Sequence, residues 1–183
     1  RLGGVLAACP LNQSVTSYIL DDLSAVAEVS NIDTSINSGN FCLYRDDNVI
    51  RIARGVNTLQ TVGGTSNRTE DMKKICVVEG LDITQYEIVR LFKDTYQGKK
   101  KNNADHQALL IADILGIFAM LINDEVLDSY SKPTVEINTG AMRNAWTSAG
   151  IDVSDLTDAQ IKEKTYGSVV FLSAKGMKFL DAI

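Results

Sequence analysis

Residues 49–61 read VIRIARGVNTLQT, which sets two arginines, Arg51 and Arg54, inside a run with the character of a β-strand, with Gly55 and Asn57 just after. Arginines so placed have three chemistries open to them: binding phosphate, holding a carboxylate, or clamping a neighbouring subunit by ion pairing. Catalysis would require a base or a nucleophile elsewhere. His106 is the only histidine and lies in NNADHQALL, at an expected helix start, with Asp105 beside it. No G-x-S-x-G elbow occurs. One histidine and three dispersed cysteines do not make a zinc site.

The acidic pairs Asp21-Asp22, Asp46-Asp47, Glu70-Asp71 and Asp124-Glu125 fall at expected turns or helix ends, where carboxylates are favoured without any catalytic role. DDNVIRIARGVN puts apolar residues at the ligand positions of a calcium loop. Gly63-Gly64 and Gly98-Lys99 match neither G-x-x-x-x-G-K-[ST] nor G-x-G-x-x-G. The Lys99, Lys100, Lys101 run reads as a solvated turn between helices, with an anion or partner site as the alternative. No cofactor, metal or catalytic residue is indicated.

These groups must be positioned by a chain of 183 residues, long enough for one large or two small domains with a real core. It is 45% hydrophobic and 22% charged, ordinary values for a globular protein. A net charge of -5 and a pI near 4.9 count against a nucleic-acid partner, which needs a basic face. Cys9, Cys42 and Cys76 are odd in number and lack a CxxC spacing, so reduced thiols are expected. The chain opens RLGGVLAACPLNQS without Met or a signal-peptide pattern, and we expect a fragment or a processed chain. LLIADILGIFAMLI (109–122) is shorter than the roughly 20 residues a bilayer span takes and carries Asp113, so a buried core helix is expected.

The local signals give a mixed order of elements. LGGVLAA reads as a short helix, VAEVS (26–30) as a strand, and NIDTSINSG as a helix stopped by Gly39. Strands 41–45 and 49–54 flank Asp46-Asp47-Asn48 as a hairpin, with Gly55 as a bulge at its end. VGGTSNRTE is a connection, and the main internal boundary is placed there. Asn67-x-x-Glu70 resembles a capping box opening a largely helical section to Gly98, with a break allowed around Gly80. QGKKKNN is a loop, 104–127 the apolar helix, 134–138 a strand, and GAMRNAWTSA a helix ended by Gly150. Thr157-x-x-Gln160 is a second capping box, and SVVFLS and MKFLDAI read as a terminal hairpin.

VIRIARGVNTLQT resembles the contractile phage tail sheath signature, in which a strand ending R-G-[IV]-N-[ST]-L precedes the C-terminal domain. The other segments are similar to sheath proteins in the right order: RLGGVLAACPLNQSVTSYIL, then MKKICVVEGLDITQYEIVRLFKDTYQGKKKNN with its Tyr-x-Gly-Lys loop. NADHQALLIADILGIFAMLINDEVLD and GIDVSDLTDAQIKEKTYGSVVFLSAKGMKFLDAI complete the series. The ordered set covers essentially the whole chain, and its closest flavour is the sheath of phages and R-type bacteriocins of Gram-positive bacteria.

The resemblance implies a mixed α/β (α+β) fold. Residues 1–62 would complete the sheath core with a β-hairpin, and 63–183 would form the C-terminal helix-plus-sheet domain. It implies a structural, non-enzymatic subunit that polymerises helically around an inner tube protein and contracts to drive the tube through a cell envelope. The implied partners are other sheath subunits, joined by strands that terminal arms add to a neighbour's sheet, together with the tube and the baseplate. Nucleic acid and membrane insertion are not implied, and the implied location is a virion or bacteriocin particle assembled in the bacterial cytoplasm. A sheath protein would extend ahead of Arg1 and continue past Ile183 into a terminal strand. Candidate subunit or tube contacts are Arg51, Arg54, Lys99, Lys100, Lys101 and, in the terminal hairpin 168–183, Phe179. Two other classes stay open: a soluble binding module that does not polymerise, and an enzyme built on His106 and Asp105.

Overall fold

The computed structural model describes residues 1–64 and 68–180. The chain divides into two compact units, Arg1–Ile83 joined by Phe179 and Leu180, and Thr84–Lys178.

The first unit begins with helix α1 (Leu2–Ala8) and continues through α2 (Ile32–Asn37), whose Asn31 side chain caps the Thr34 N–H at 2.9 Å. Gly39 follows at φ +82°, the left-handed conformation that ends a helix and that glycine adopts without strain. Strands β1 (Leu43–Asp46) and β2 (Val49–Ile52) form the expected hairpin, paired Leu43↔Ile52 through Asp46↔Val49 around the Asp47-Asn48 turn. Period-two alternation buries Ile50 and Ile52 on one face of β2 and leaves Arg51 on the other. The free edge of β2 is covered by residues 17–20: Ser17 N–H donates to Ile52 O, Ile52 N–H to Tyr18 O, and Leu20 N–H to Ile50 O. Val15, Leu20 and Ile52 form the core, with Leu6, Phe41 and Leu43 packed on it.

Two expectations fail in this unit. VAEVS is not a strand: residues 23–29 have no regular structure and, apart from Val26, are exposed. β-branched residues favour a strand only when a partner strand supplies hydrogen bonds, and none lies beside them among the described residues. The second strand ends at Ile52, so Arg54 stands in the loop beyond it. Gly55 is buried without a positive φ, so backbone conformation does not demand glycine there. A Cβ would come to 2.9 Å from Ser14 Oγ and 3.1 Å from Val15 Cγ2, so close packing requires it.

A short 3-10 turn (Glu70–Lys73) precedes α3 (Ile75–Leu91), which runs unbroken through a buried Gly80. The capping box beginning at Asn67 lies outside the described residues. α3 continues into a π-type turn, Phe92–Tyr96, where Gln97 N–H donates to Phe92 O at 2.8 Å.

In the second unit α4 (Ala104–Asn123) starts on the Asn103 cap and buries Leu110, Ile114, Phe118 and Leu121 on one face. The opposite face is not buried as expected, since Leu109 and Met120 are exposed. At 20 residues and mean hydropathy 1.6, α4 is long and apolar enough to cross a membrane by length and composition. Its Phe118 and Leu121 nonetheless pack as core side chains do.

Strand β3 (Thr134–Ile137), helix α5 (Thr139–Ser148), helix α6 (Asp158–Glu163) and strand β4 (Leu172–Lys175) complete this unit. The Thr157–Gln160 capping box opens α6 as expected, and Gly150 at φ +80° follows α5. Met142, Val153 and Ile161 form the core beneath Ile137, Trp146, Leu156 and Phe171. Arg143 ties the α5–α6 connection together, donating to Val153 O at 2.9 Å, Leu156 O at 2.6 Å and Asp158 Oδ1 at 2.9 Å.

The terminal hairpin is corrected. β4 pairs antiparallel with β3, Thr134↔Lys175 through Ile137↔Leu172, and 177–180 form no strand beside it, while 181–183 of the expected hairpin lie outside the described residues. Gly176, at φ +76°, lets the chain pass the Lys132 carbonyl, which a Cβ would meet at 2.7 Å.

Candidate functional site

Arg51 and Arg54 have different surroundings. Arg51 Nε donates to Asp46 Oδ2 at 2.8 Å, and Nη1 donates to Ser17 O at 3.1 Å. Its charge is thus paired inside the chain, and its reach locks the 17–20 segment onto the hairpin. Arg54 is exposed, and its guanidinium makes no hydrogen bond or ion pair among the described residues. It lines a cleft of about 320 Å³ with Asn37, Asn57, Gln60 and the ion pairs Lys73–Glu70 and Lys74–Asp71. The nearby cations are neutralised, so Arg54 is the group in this cleft that lacks a counter-charge. A carboxylate presented from outside would suit it chemically.

The lysine loop belongs to the second unit. The Lys99 and Lys100 N–H groups both donate to Tyr96 O at 3.0 Å, and Lys99 Nζ donates to Asp94 O. The Lys100 and Lys101 ammonium groups have no partner among the described residues. They rim a cleft of about 440 Å³ whose walls include Phe92, His106, Gln107 and Leu110. Beneath the rim, Asn102 Nδ2 donates to Gly167 O at 3.0 Å and Val169 O at 3.1 Å, and Gln107 Nε2 donates to Asn102 Oδ1 at 2.6 Å. Because Asn102 must turn its NH2 toward two carbonyls, its oxygen faces Gln107, and Gln107 must answer with its own NH2. Gln107 Oε1 is therefore left as a buried acceptor with no donor, on a residue only 3% exposed. The sequence carried no signal for this network beyond a polar loop, KNN, ahead of an apolar helix.

His106 occupies the first turn of α4, with its N–H on the Asn103 cap and Nδ1 2.8 Å from Lys101 O. A carbonyl only accepts, so Nδ1 carries the proton, and that ring edge serves the loop rather than a substrate. Among the described residues no group of His, Cys, Asp and Glu could hold a metal ion. Tyr96 donates to Asp113 Oδ2 at 2.6 Å, and burial, then the Asp113 hydrogen bond and charge, push its hydroxyl up to about 12. Cys9 is held above the usual thiol range, first by burial and then by the Glu79 charge, so its nucleophilic thiolate form is disfavoured. Phe179 is half-buried, directly after Lys178, whose carbonyl accepts from Asp128 N–H at 2.8 Å.

Taken together, these are mixed α/β units in which antiparallel strand pairs are packed with helices. The two clefts described carry cations at their rims, Arg54 in one and Lys100 with Lys101 in the other. A family model described as the phage tail sheath C-terminal domain matches residues 67–160. The match covers just over half of the sequence, and the chain belongs to the phage tail sheath family, as its ordered motifs indicated. The tail sheath protein of Clostridium phage phiCD119 is 29% identical over 185 residues, covering 100% of this chain and 51% of that protein. Two solved structures share the fold. The sheath tail protein of Desulfitobacterium hafniense has a TM-score of 0.64 at 23% identity, over 75% of this chain and 33% of that one. The sheath tail protein Lin1278 of Listeria innocua has a TM-score of 0.55 at 17% identity, over 76% and 34%. The chain thus spans about half the length of the curated relative and a third of the solved chains.

Proposed function

We propose that this chain is part of a contractile sheath subunit. The subunit polymerises helically around an inner tube protein and, on contraction, drives the tube through a cell envelope. Its role is structural rather than enzymatic, in a phage tail or R-type bacteriocin particle assembled in the bacterial cytoplasm and anchored on a baseplate. Residues 1–62 complete the sheath core and 63–183 form the C-terminal domain. The family match beginning at residue 67 supports that boundary, while the spatial division falls further on, within α3.

The observation that carries the reading is the β3–β4 ribbon. It has only two strands, so each keeps an unpaired edge among the described residues. Two-stranded ribbons are marginal in water on their own, and an open edge is a template for a strand from another chain. Arms donated by neighbouring subunits would complete the sheet with main-chain hydrogen bonds and link subunits that still slide past one another. A heterologous contact of this kind, which does not close on itself, builds an open helical array. Arg54 supplies an unpaired cation for a neighbour's carboxylate, Arg51 supports that contact by fixing the hairpin, and the Lys99–Lys101 loop and Phe179 are further contacts to neighbour or tube.

Negative-stain electron microscopy at rising protein concentration, with and without a tube protein, tests this. Helical tubes are expected. A dispersed monomer under every condition would overturn the array and favour a binding module.

A further inference from the structure

Two unsatisfied surfaces of the same chain complement each other. One is the cleft rimmed by Lys100 and Lys101. It offers two ammonium groups without counter-charge above an apolar wall that includes Phe92, Leu110 and Val170. The other is the segment Leu23–Val29, reading LSAVAEV. The N–H groups of Ser24 through Val29 donate to nothing among the described residues, and Glu28 has no cation. Leu23 and Val29 are 40% and 38% exposed.

We infer that the Lys100–Lys101 cleft is a docking site for residues 23–29 of a second copy of this chain. The inference rests on the reading that copies assemble, and it names which surfaces meet. In an extended segment successive side chains point to opposite sides. Leu23, Ala25, Ala27 and Val29 then share one face, and Ser24, Val26 and Glu28 share the other. Laid into the cleft, the first face meets the apolar wall, and its two alanines are small enough to bring the main chain close to the floor. Glu28 points away from the floor, toward the rim where Lys100 and Lys101 stand. A simple anion would satisfy the lysines but cover none of the apolar wall, so the site favours a peptide that carries both a carboxylate and apolar side chains. Segment and cleft are different surfaces, so the contact is heterologous and propagates from copy to copy.

The test uses a fluorescently labelled synthetic peptide of residues 22–30, followed by anisotropy while the chain is titrated in. Saturable binding is expected. Glu28→Lys in the peptide, or Lys100→Glu with Lys101→Glu in the chain, weakens it by about tenfold, and combining the two reversals restores it. The lysines are exposed, and circular dichroism of the double variant checks that it is folded. No saturable binding, or binding indifferent to both reversals, overturns the inference. Tubes by microscopy without peptide binding sink this contact but leave the sheath reading intact. Peptide binding without tubes keeps the contact and sinks the helical array.

Discussion

Arg51 and Asp46 are diagonal neighbours on one face of the β1–β2 hairpin, Nε to Oδ2 at 2.8 Å, and the same guanidinium reaches the Ser17 carbonyl. One side chain therefore holds three passages of chain together. The arginine beside it in sequence, Arg54, is left open to the outside.

The two arginines should separate in a mutational test. Arg51→Ala should lower stability by about 1 kcal/mol, the upper end for a partly exposed pair, because a carbonyl also loses its donor. Arg54→Ala should stay within about 0.5 kcal/mol of the parent in the urea midpoint yet weaken assembly. Unchanged assembly in the Arg54 variant would remove it from the list of contacts.

Gly55→Ala should cost about 1–3 kcal/mol by overpacking, since the new Cβ lands on Ser14 Oγ and the buried Val15. Ser14 cannot turn aside freely, because its hydroxyl is engaged by Thr16 Oγ1 at 2.9 Å and by the Thr16 N–H at 3.2 Å. A thermal midpoint equal to the parent's would show that the loop yields.

Asn102→Ala strips the donor from two carbonyls and the acceptor from Gln107, and about 1–3 kcal/mol should be lost. Gln107→Leu should cost less, because it also removes the orphaned oxygen. Chemical denaturation of both variants gives the order, and the reverse order would refute the network as drawn.

Alkaline stability should report on Tyr96. Its folded value of about 12 lies above the ordinary 10, so in that window the folded state holds a proton the unfolded state has released. The stabilisation is complete below pH 10 and disappears as pH rises toward 12. Tyr96→Phe should flatten that part of the stability profile, and an unchanged slope would assign the loss to other groups.

Acid should act through Asp158, whose carboxyl is held below the ordinary 3.8, first by the Arg143 hydrogen bond. The unfolded state then binds the proton more readily, so this contribution is present above pH 3.8 and is lost as pH falls through the depressed value. Asp158→Asn should reduce the acid sensitivity of unfolding, read by fluorescence of Trp146 in the neighbouring core.

Features written in a few adjacent residues were legible in the sequence. The Asp47-Asn48 turn with its flanking alternation gave the hairpin, and Thr157 with Gln160 gave the start of α6, because both signals act within one turn of chain. The β3–β4 pairing was not legible, since its strands lie more than thirty residues apart and 134–138 carried no mark of its partner. VAEVS misled because composition records strand preference but not whether a partner strand exists. The candidate contacts divided along the same line: charge was visible for Arg51 and Arg54, but which of them was already spent on Asp46 depended on side-chain reach across the hairpin.

The β3–β4 ribbon has one more consequence. Thr134 faces Lys175, so the stretch they bracket, with α5, α6 and the Met142–Ile161 core, enters and leaves through the same doorway. A third tie reaches it from outside, where the Asn102 side chain donates to Gly167 O and Val169 O. A pull applied across Thr134 and Lys175 therefore meets the ribbon's own hydrogen bonds before it reaches that interior, and the Asn102 amide shares the load.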